Sequence, residues 1–178
     1  MNQGLPNIIS ENVDWNDVTQ VDFIRKLLVR DTKLGHFHFK IDNRPCSDIE
    51  INQHVDREID RLKHEHDNYS SHIIKADKDM AGFFVTKNNL RNAEDLNIEL
   101  YMISILEAHK NQGIGMFILD SIEKQVQKQA GHHRVTLKAR CRESSDVMKN
   151  ILKKQDFIKC TKHKSTNNEL YTKEIRNH

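Results

Sequence analysis

The residues with the clearest chemical potential are Lys110-Asn111-Gln112-Gly113-Ile114-Gly115. An apolar run over residues 100–106 precedes them, and a long amphipathic pattern over 114–126 follows. The order is strand, glycine-containing turn, helix. Such a turn aims several backbone N–H groups at one spot, at the positive end of a helix dipole. That spot suits a phosphate group. A Cβ there would block close backbone approach and disfavour positive φ, which explains the glycines. The turn is not a P-loop, because no Lys-Ser or Lys-Thr follows Gly115. It is not a dinucleotide fingerprint either, because Gly113-Ile114-Gly115-Met116-Phe117-Ile118 ends in isoleucine.

The elements that must position this turn can be read from periodicity. A short strand is expected over residues 7–10 and a helix over 17–30, with Phe23, Leu27 and Leu28 on one face. Residues 31–47 read as irregular. A second helix over 48–69 follows, with Ile51, Val55, Ile59 and Leu62 at helical spacing and Ser47 or Asp48 as cap. Residues 72–76 and 81–86 form a hairpin around Asp77-Lys78-Asp79. Residues 87–96 read as polar loop and 97–106 as a third long strand. Ile114, Ile118, Ile122 and Val126 mark the helix after the turn, which Gly131 stops. A strand over 134–139, a helix from Ser144 or Ser145 to about 154, and strands over 157–161 and 170–175 complete the chain. The order β-α-α-β-β-β-α-β-α-β-β predicts an α/β (α+β) fold with a mixed sheet, in one domain spanning residues 1–178.

Composition narrows the classes. The chain has 178 residues, 37% hydrophobic and 30% charged, which reads as globular. No stretch is long and apolar enough for a membrane span, and the N-terminal residues show no secretory signal. Cys46, Cys141 and Cys160 have no CxxC spacing and read as reduced thiols, so a cytoplasmic location is expected. Residues 1–123 hold 14 Lys/Arg against 21 Asp/Glu, and residues 124–178 hold 14 against 5. The basic end could face a polyanionic ligand, or be a solvated face. Nucleic acid is disfavoured, because aromatics are 6% and the basic segment lacks a series of interleaved stacking residues.

At this point residues 99–157 resemble the GCN5-related N-acetyltransferase (GNAT) family. Its signature, Arg/Gln-x-x-Gly-x-Gly/Ala between the fourth strand and third helix, stands here as Lys110 to Gly115, with Lys in the first place. The resemblance implies a mostly antiparallel central sheet flanked by four helices, and transfer of an acetyl group from acetyl-CoA to an amine. It implies that the N–H groups of Asn111, Gln112, Gly113, Ile114, Gly115 and Met116 hold the CoA pyrophosphate, with Lys110 beside them. It places pantetheine along Ile103, Ser104 and Ile105, where an N–H would also polarise the thioester carbonyl. Acetyl-CoA would lie in a splay between the fourth and fifth strands. Glu99, eleven residues before Lys110, falls where many members carry a general base. Tyr101 shares its face, because strand side chains alternate.

One departure bears on chemistry. The family's fourth helix often carries a tyrosine that protonates the departing thiolate, and here that position is Leu152. Tyr101, Cys141 and Tyr171 are alternative donors. The thiolate could also leave unprotonated, since a thiol pKa is about 8.5. Alternatively, the protein is a non-catalytic acyl-CoA-binding or sensing module.

The acceptor is not specified by the sequence. The acidic first part favours a cationic one, with Asp56, Glu58, Asp60, Glu65 and Asp67 as contributors. In Gly35-His36-Phe37-His38-Phe39 the phenyl rings would pack and the imidazoles could touch acceptor. No metal is expected, since His64 and His66 at i and i+2 point apart on a helix and HExxH is missing. An exposed final strand could pair across a homodimer.

Overall fold

The computed structural model describes residues 6–37, 46–90, 95–129, 134–142, 145–163 and 168–175. Gly131, Ser144, His38 and Phe39 lie outside them. The elements are β1 (Ile8–Asn12), α1 (Val18–Lys33), α2 (Asp48–His64), β2 (Tyr69–Ala76), β3 (Asp79–Leu90), β4 (Asp95–Ile105), α3 (Ile114–Gln129), β5 (Arg134–Arg142), α4 (Asp146–Lys154), β6 (Ile158–His163) and β7 (Asn168–Ile175). They form one seven-stranded sheet of order β1-β2-β3-β4-β5-β7-β6. Every neighbouring pair is antiparallel except β4 and β5. The mixed, mostly antiparallel sheet with four helices agrees with the sequence reading.

Two apolar clusters sit on opposite faces of this sheet. On one, Ile24, Leu27 and Leu28 of α1 and Ile51, Val55, Ile59 and Leu62 of α2 pack on Ile73, Phe83, Val85 and Met102. On the other, Ile114, Ile118, Ile122 and Val126 of α3 and Leu152 of α4 pack on Phe84, Leu100, Val135, Leu137 and Ala139. The strands are therefore apolar on both sides at the centre, as a doubly covered sheet requires.

Helix ends follow side-chain chemistry. Asp17 accepts from the N–H of Thr19 and Gln20 at the start of α1. Ser47 and Glu50 form a capping box on α2. Helix α1 runs three residues beyond the expected end. Its stop is Gly35 at φ 74°, with Gly35 N–H on the Thr32 carbonyl and His36 N–H on the Asp31 carbonyl. This glycine terminator was present in the sequence. Helix α2 ends at His64 instead of reaching Tyr69. Past Leu62 no apolar residue holds its face until Tyr69, which turns into the core as the first residue of β2. Residues 87–90 and 95–96, expected as loop, continue β3 and β4, paired from Asn88↔Ile98 to Leu90↔Leu96. Backbone pairing across the hairpin overrides the weak strand preference of its asparagines.

Helices α3 and α4 meet through Gly115. A Cβ there would lie 2.8 Å from Ile151 Cδ1. Gly115→Ala should therefore lower stability, the roughly 1–3 kcal/mol of overpacking exceeding the roughly 1 kcal/mol of helix propensity gained. In an Ile151→Val background, which removes Cδ1, the same change should be stabilising. Urea midpoints of the four proteins decide it, and stabilisation in both backgrounds would show that the contact has slack.

Candidate active site

The site begins where β4 and β5 part. Their parallel rungs run from Asp95↔Arg134 to Leu100↔Ala139 and stop, although β4 continues to Ile105 and β5 to Arg142. The register of β3 with β4 slips at the same point, leaving Tyr101 as an extra residue between the rungs Thr86↔Leu100 and Val85↔Met102. This bulge changes which residues face which side. Glu99, Tyr101, Met102 and Ser104 face α1 and α2, whereas Leu100, Ile103 and Ile105 face α3 and α4.

The register also shows where the β4 backbone groups point. Leu106 N–H donates to the Ala81 carbonyl at 2.8 Å, so Gly82↔Ile105 is a pair whose N–H and C=O groups turn away from each other. Ile103 and Ile105 thus present their backbone groups to the gap beside β5. Ser104, expected with them, does not: its backbone turns to β3 and its hydroxyl donates to Asp31 at 2.5 Å. One group on the gap edge is already engaged, because Arg30 Nη2 donates to the Ile105 carbonyl at 3.0 Å. Arg30 Nε also holds buried Asp31, at 2.6 Å.

The glycine turn lies beyond this edge. After a single turn of 3₁₀ helix at Glu107–His109, Asn111 and Gly113 take φ of 63° and 82°. Lys110 N–H donates to the Glu107 carbonyl at 3.2 Å. Among the described residues, the next N–H with a backbone acceptor is that of Phe117, on the Gly113 carbonyl at 3.0 Å. The N–H groups of Asn111, Gln112, Gly113, Ile114, Gly115 and Met116 are thus left for an anion at the start of α3. The two glycines do different work. Gly113 has nothing within 4 Å of its Cβ position and serves the left-handed backbone, whereas Gly115 makes room for Ile151. Side chains frame the cradle without filling it. Lys110 Nζ pairs with Glu107 at 2.6 Å, Gln112 Nε2 donates to the Ala108 carbonyl, and Met116 Sδ accepts from Gln155.

On the α1–α2 side, buried Glu99 accepts from Arg140 Nε at 2.8 Å. Tyr101 accepts from Arg61 Nη2 at 2.5 Å, and the same guanidinium holds Glu58. Burial, then the Glu58 charge, raises the Tyr101 pKa, against the pull of Arg61. The other expected donors lie on the opposite face. Leu152 is fully buried core. Burial pushes the Cys141 thiol up to about 11. Tyr171 is 1% exposed, donates to Glu169 at 2.9 Å, and is pushed up to about 12 by burial and that carboxylate. Of the acids expected to contribute to an acceptor site, Asp56 is paired with Arg25 and Glu58 with Arg61. His36 is exposed, while Phe37 and Trp15 pack against the α1–α2 core. Among the described residues no cluster of His, Cys, Asp and Glu is arranged for a metal ion.

Sequence reasoning missed three arginines here. Arg30 sat on a helix read as ending with it. Arg140 and Arg142 sat beyond a strand read as ending at residue 139. The alternation Arg134, Thr136, Lys138, Arg140, Arg142 was the signal that would have extended that strand.

The chain matches the family model described as Acetyltransferase (GNAT) family over residues 34–157, and it belongs to that family. The activity of the class is acetyl-CoA-dependent N-acetylation. Solved structures show the same fold at low identity. An acetyltransferase from Thermus thermophilus is 13% identical, with TM-score 0.66 over 96% of this chain and 98% of that one. The ribosomal-protein-S18-alanine N-acetyltransferase from Escherichia coli is 13% identical, with TM-score 0.62 over 97% and 96%. The spermidine N-acetyltransferase from Vibrio cholerae, in complex with CoA and spermine, is 8% identical, with TM-score 0.64 over 94% of each. No curated protein sequence matches the chain.

The buried polar cluster behind the site gives a pH prediction. Lys159, then the Tyr171 hydroxyl, hold the Glu169 carboxyl down to about 2 from 4.5. A depressed folded pKa contributes stability that is present above the unfolded value and lost as pH falls through the folded one. Wild-type stability should therefore decline between pH 4.5 and about 2 more steeply than that of Glu169→Gln. Urea midpoints against pH measure this, and parallel curves would contradict it.

Proposed function

We propose that the protein transfers the acetyl group of acetyl-CoA to a primary amine that enters from the α1–α2 side, with Glu99 as base. The observation that carries this is the end of the β4–β5 ladder at Leu100↔Ala139, with Glu99 one residue before it on the α1–α2 face. The donor supplies an activated acyl thioester. The residues fit it: free N–H groups from Asn111 to Met116 would hold its pyrophosphate, and the Ile103 and Ile105 edge would pair with its amide-containing arm as an added strand does.

The chain's own groups then manage protons. An alkylammonium must lose a proton before its nitrogen attacks, and Glu99 would accept it, directly or through water. Arg140 orients the carboxylate through one oxygen and leaves the other available. Tyr101 sits two residues along the same strand, on the same face, with a raised pKa that keeps its hydroxyl protonated for donation to the leaving thiolate. Its bond from Arg61 would stabilise the phenolate that forms.

A second reading, a non-catalytic acyl-CoA-binding module, draws on buried Leu152 in place of the usual general acid. A panel of primary amines with acetyl-CoA, read as thiol release, separates the two. Wild type should turn over. Glu99→Gln should lose roughly 10²- to 10⁴-fold in rate near neutral pH, and the deficit should narrow at alkaline pH, where the amine arrives deprotonated. A wild-type rate in Glu99→Gln would exclude Glu99 as base. Acetyl-CoA binding with no turnover of any amine would favour the second reading.

A further inference from the structure

Three arginines converge on the gap between β4 and β5, and only two have a carboxylate. Arg30 holds Asp31, and Arg140 holds Glu99. Arg142 has no hydrogen-bond or ion-pair partner among the described residues. It is not simply a solvated surface charge. It lies three residues past the last β4–β5 rung, on the face shared with Arg140 and Glu99. Its Nη1 is 3.6 Å from where a Cβ on Gly35 would be, so the guanidinium is tucked under the end of α1. Burial lowers its pKa, and no neighbouring carboxylate works in the other direction.

A partly desolvated cation without a counter-ion is costly, and the partial negative charge at a helix C-terminus offsets only part of that cost. Arg140 stands two residues before Arg142 on the same face of β5. Its bond to Glu99 uses Nε, which leaves the Nη groups as donors on a side chain that is 48% exposed. Alternate residues of a strand are about 6.6 Å apart, so the two guanidiniums can share one anion. The carboxylate that would accept the amine proton thus shares a face of the sheet with an arginine that has no counter-ion among the described residues.

We infer that the acceptor carries a carboxylate close to its reactive amine, and that Arg142, assisted by Arg140, binds that carboxylate while the amine faces Glu99. This rests on the acetyltransferase reading and specifies its substrate class. It reverses the preference for a cationic acceptor that the acidic first part of the sequence suggested. A polyamine would place a second positive charge against Arg142, which like-charge repulsion opposes. The shared chemistry, an amine beside a carboxylate, belongs both to free amino acids and to peptides with an acidic residue at or near the N-terminus.

The test compares matched acceptors with wild type and Arg142→Gln. Glutamate against its diamide, the peptide Glu-Glu-Ala-amide against Gln-Gln-Ala-amide, and spermidine form the panel. Wild type should favour the carboxylate member of at least one pair by roughly 10- to 100-fold in kcat/KM, the range for a charge-assisted hydrogen bond. The pair that shows it tells amino acid from peptide. Arg142→Gln should abolish that preference by lowering the rate on the carboxylate member toward that on its amide, with acetyl-CoA binding retained. Equal rates within both pairs, preference for spermidine, or a preference that survives Arg142→Gln would overturn the inference. A binding measurement keeps it decidable if no amine turns over, in which case the acetyl-transfer reading fails separately. N-acetylglutamate and its diamide are titrated into the CoA-loaded protein. Carboxylate-dependent binding lost in Arg142→Gln upholds the anion site, and equal binding or none overturns it.

Discussion

The structure depends on one incomplete pairing. Among the described residues β4 and β5 are the only parallel neighbours in the sheet, and their ladder ends at Leu100↔Ala139 while each strand continues with its outer partner. Each half of the sheet keeps its own antiparallel ladder, so neither strand can follow the other once the twist separates them. The gap is therefore built from regular secondary structure, not from loops, which makes its edges stiff. Tyr101 sits in the bulge where the gap opens. The bulge keeps both Tyr101 and Met102 on the α1–α2 face that Glu99 already occupies, while Ile103 returns to the α3–α4 face.

The two sides of the gap then have different chemistry. Toward α3, backbone N–H groups without acceptors among the described residues form a neutral, dipolar cradle that suits a diphosphate. Toward α1 and α2, charged side chains dominate, and two of their clusters also hold a helix to the sheet. Arg61 links Glu58 of α2 to Tyr101 and lies 5.0 Å from the Tyr69 ring centre. Arg30 links Asp31 of α1 to Ser104 and Ile105. The same groups that assemble the fold shape the rim of the site, so its polar geometry is set by tertiary packing.

Much of the fold was legible because its signals are local. The isoleucines of α3 at four-residue spacing, the alternation of β5, and the turn at Asp77-Lys78 each identify an element without reference to the rest. The glycine turn was legible for the same reason, although its two glycines looked equivalent. Only the packed structure separates Gly113, needed for its backbone, from Gly115, needed for Ile151. Other features were hidden because they depend on partners distant in sequence. Ser104 looks like any strand residue until Asp31, 73 residues away, takes its hydroxyl. The engagement of Ile105 by Arg30 and of Glu99 by Arg140 follows from sheet order and helix placement, and no periodicity encodes it. The charge imbalance along the chain did not disclose the pairing of two of its acids, Asp56 with Arg25 and Glu58 with Arg61.

Under the proposed function, the glycine turn and the parted strands together form the acetyl-CoA site. Calorimetric titration with acetyl-CoA, with ATP as a comparison, tests it most directly in wild type and Gly113→Asp. Aspartate at φ 82° strains the turn and sets a carboxylate in the anion cradle. Wild type should bind acetyl-CoA at micromolar concentration and ATP more weakly, and Gly113→Asp should lose acetyl-CoA binding. Absence of acetyl-CoA binding by folded wild type, or undiminished binding by folded Gly113→Asp, would contradict it.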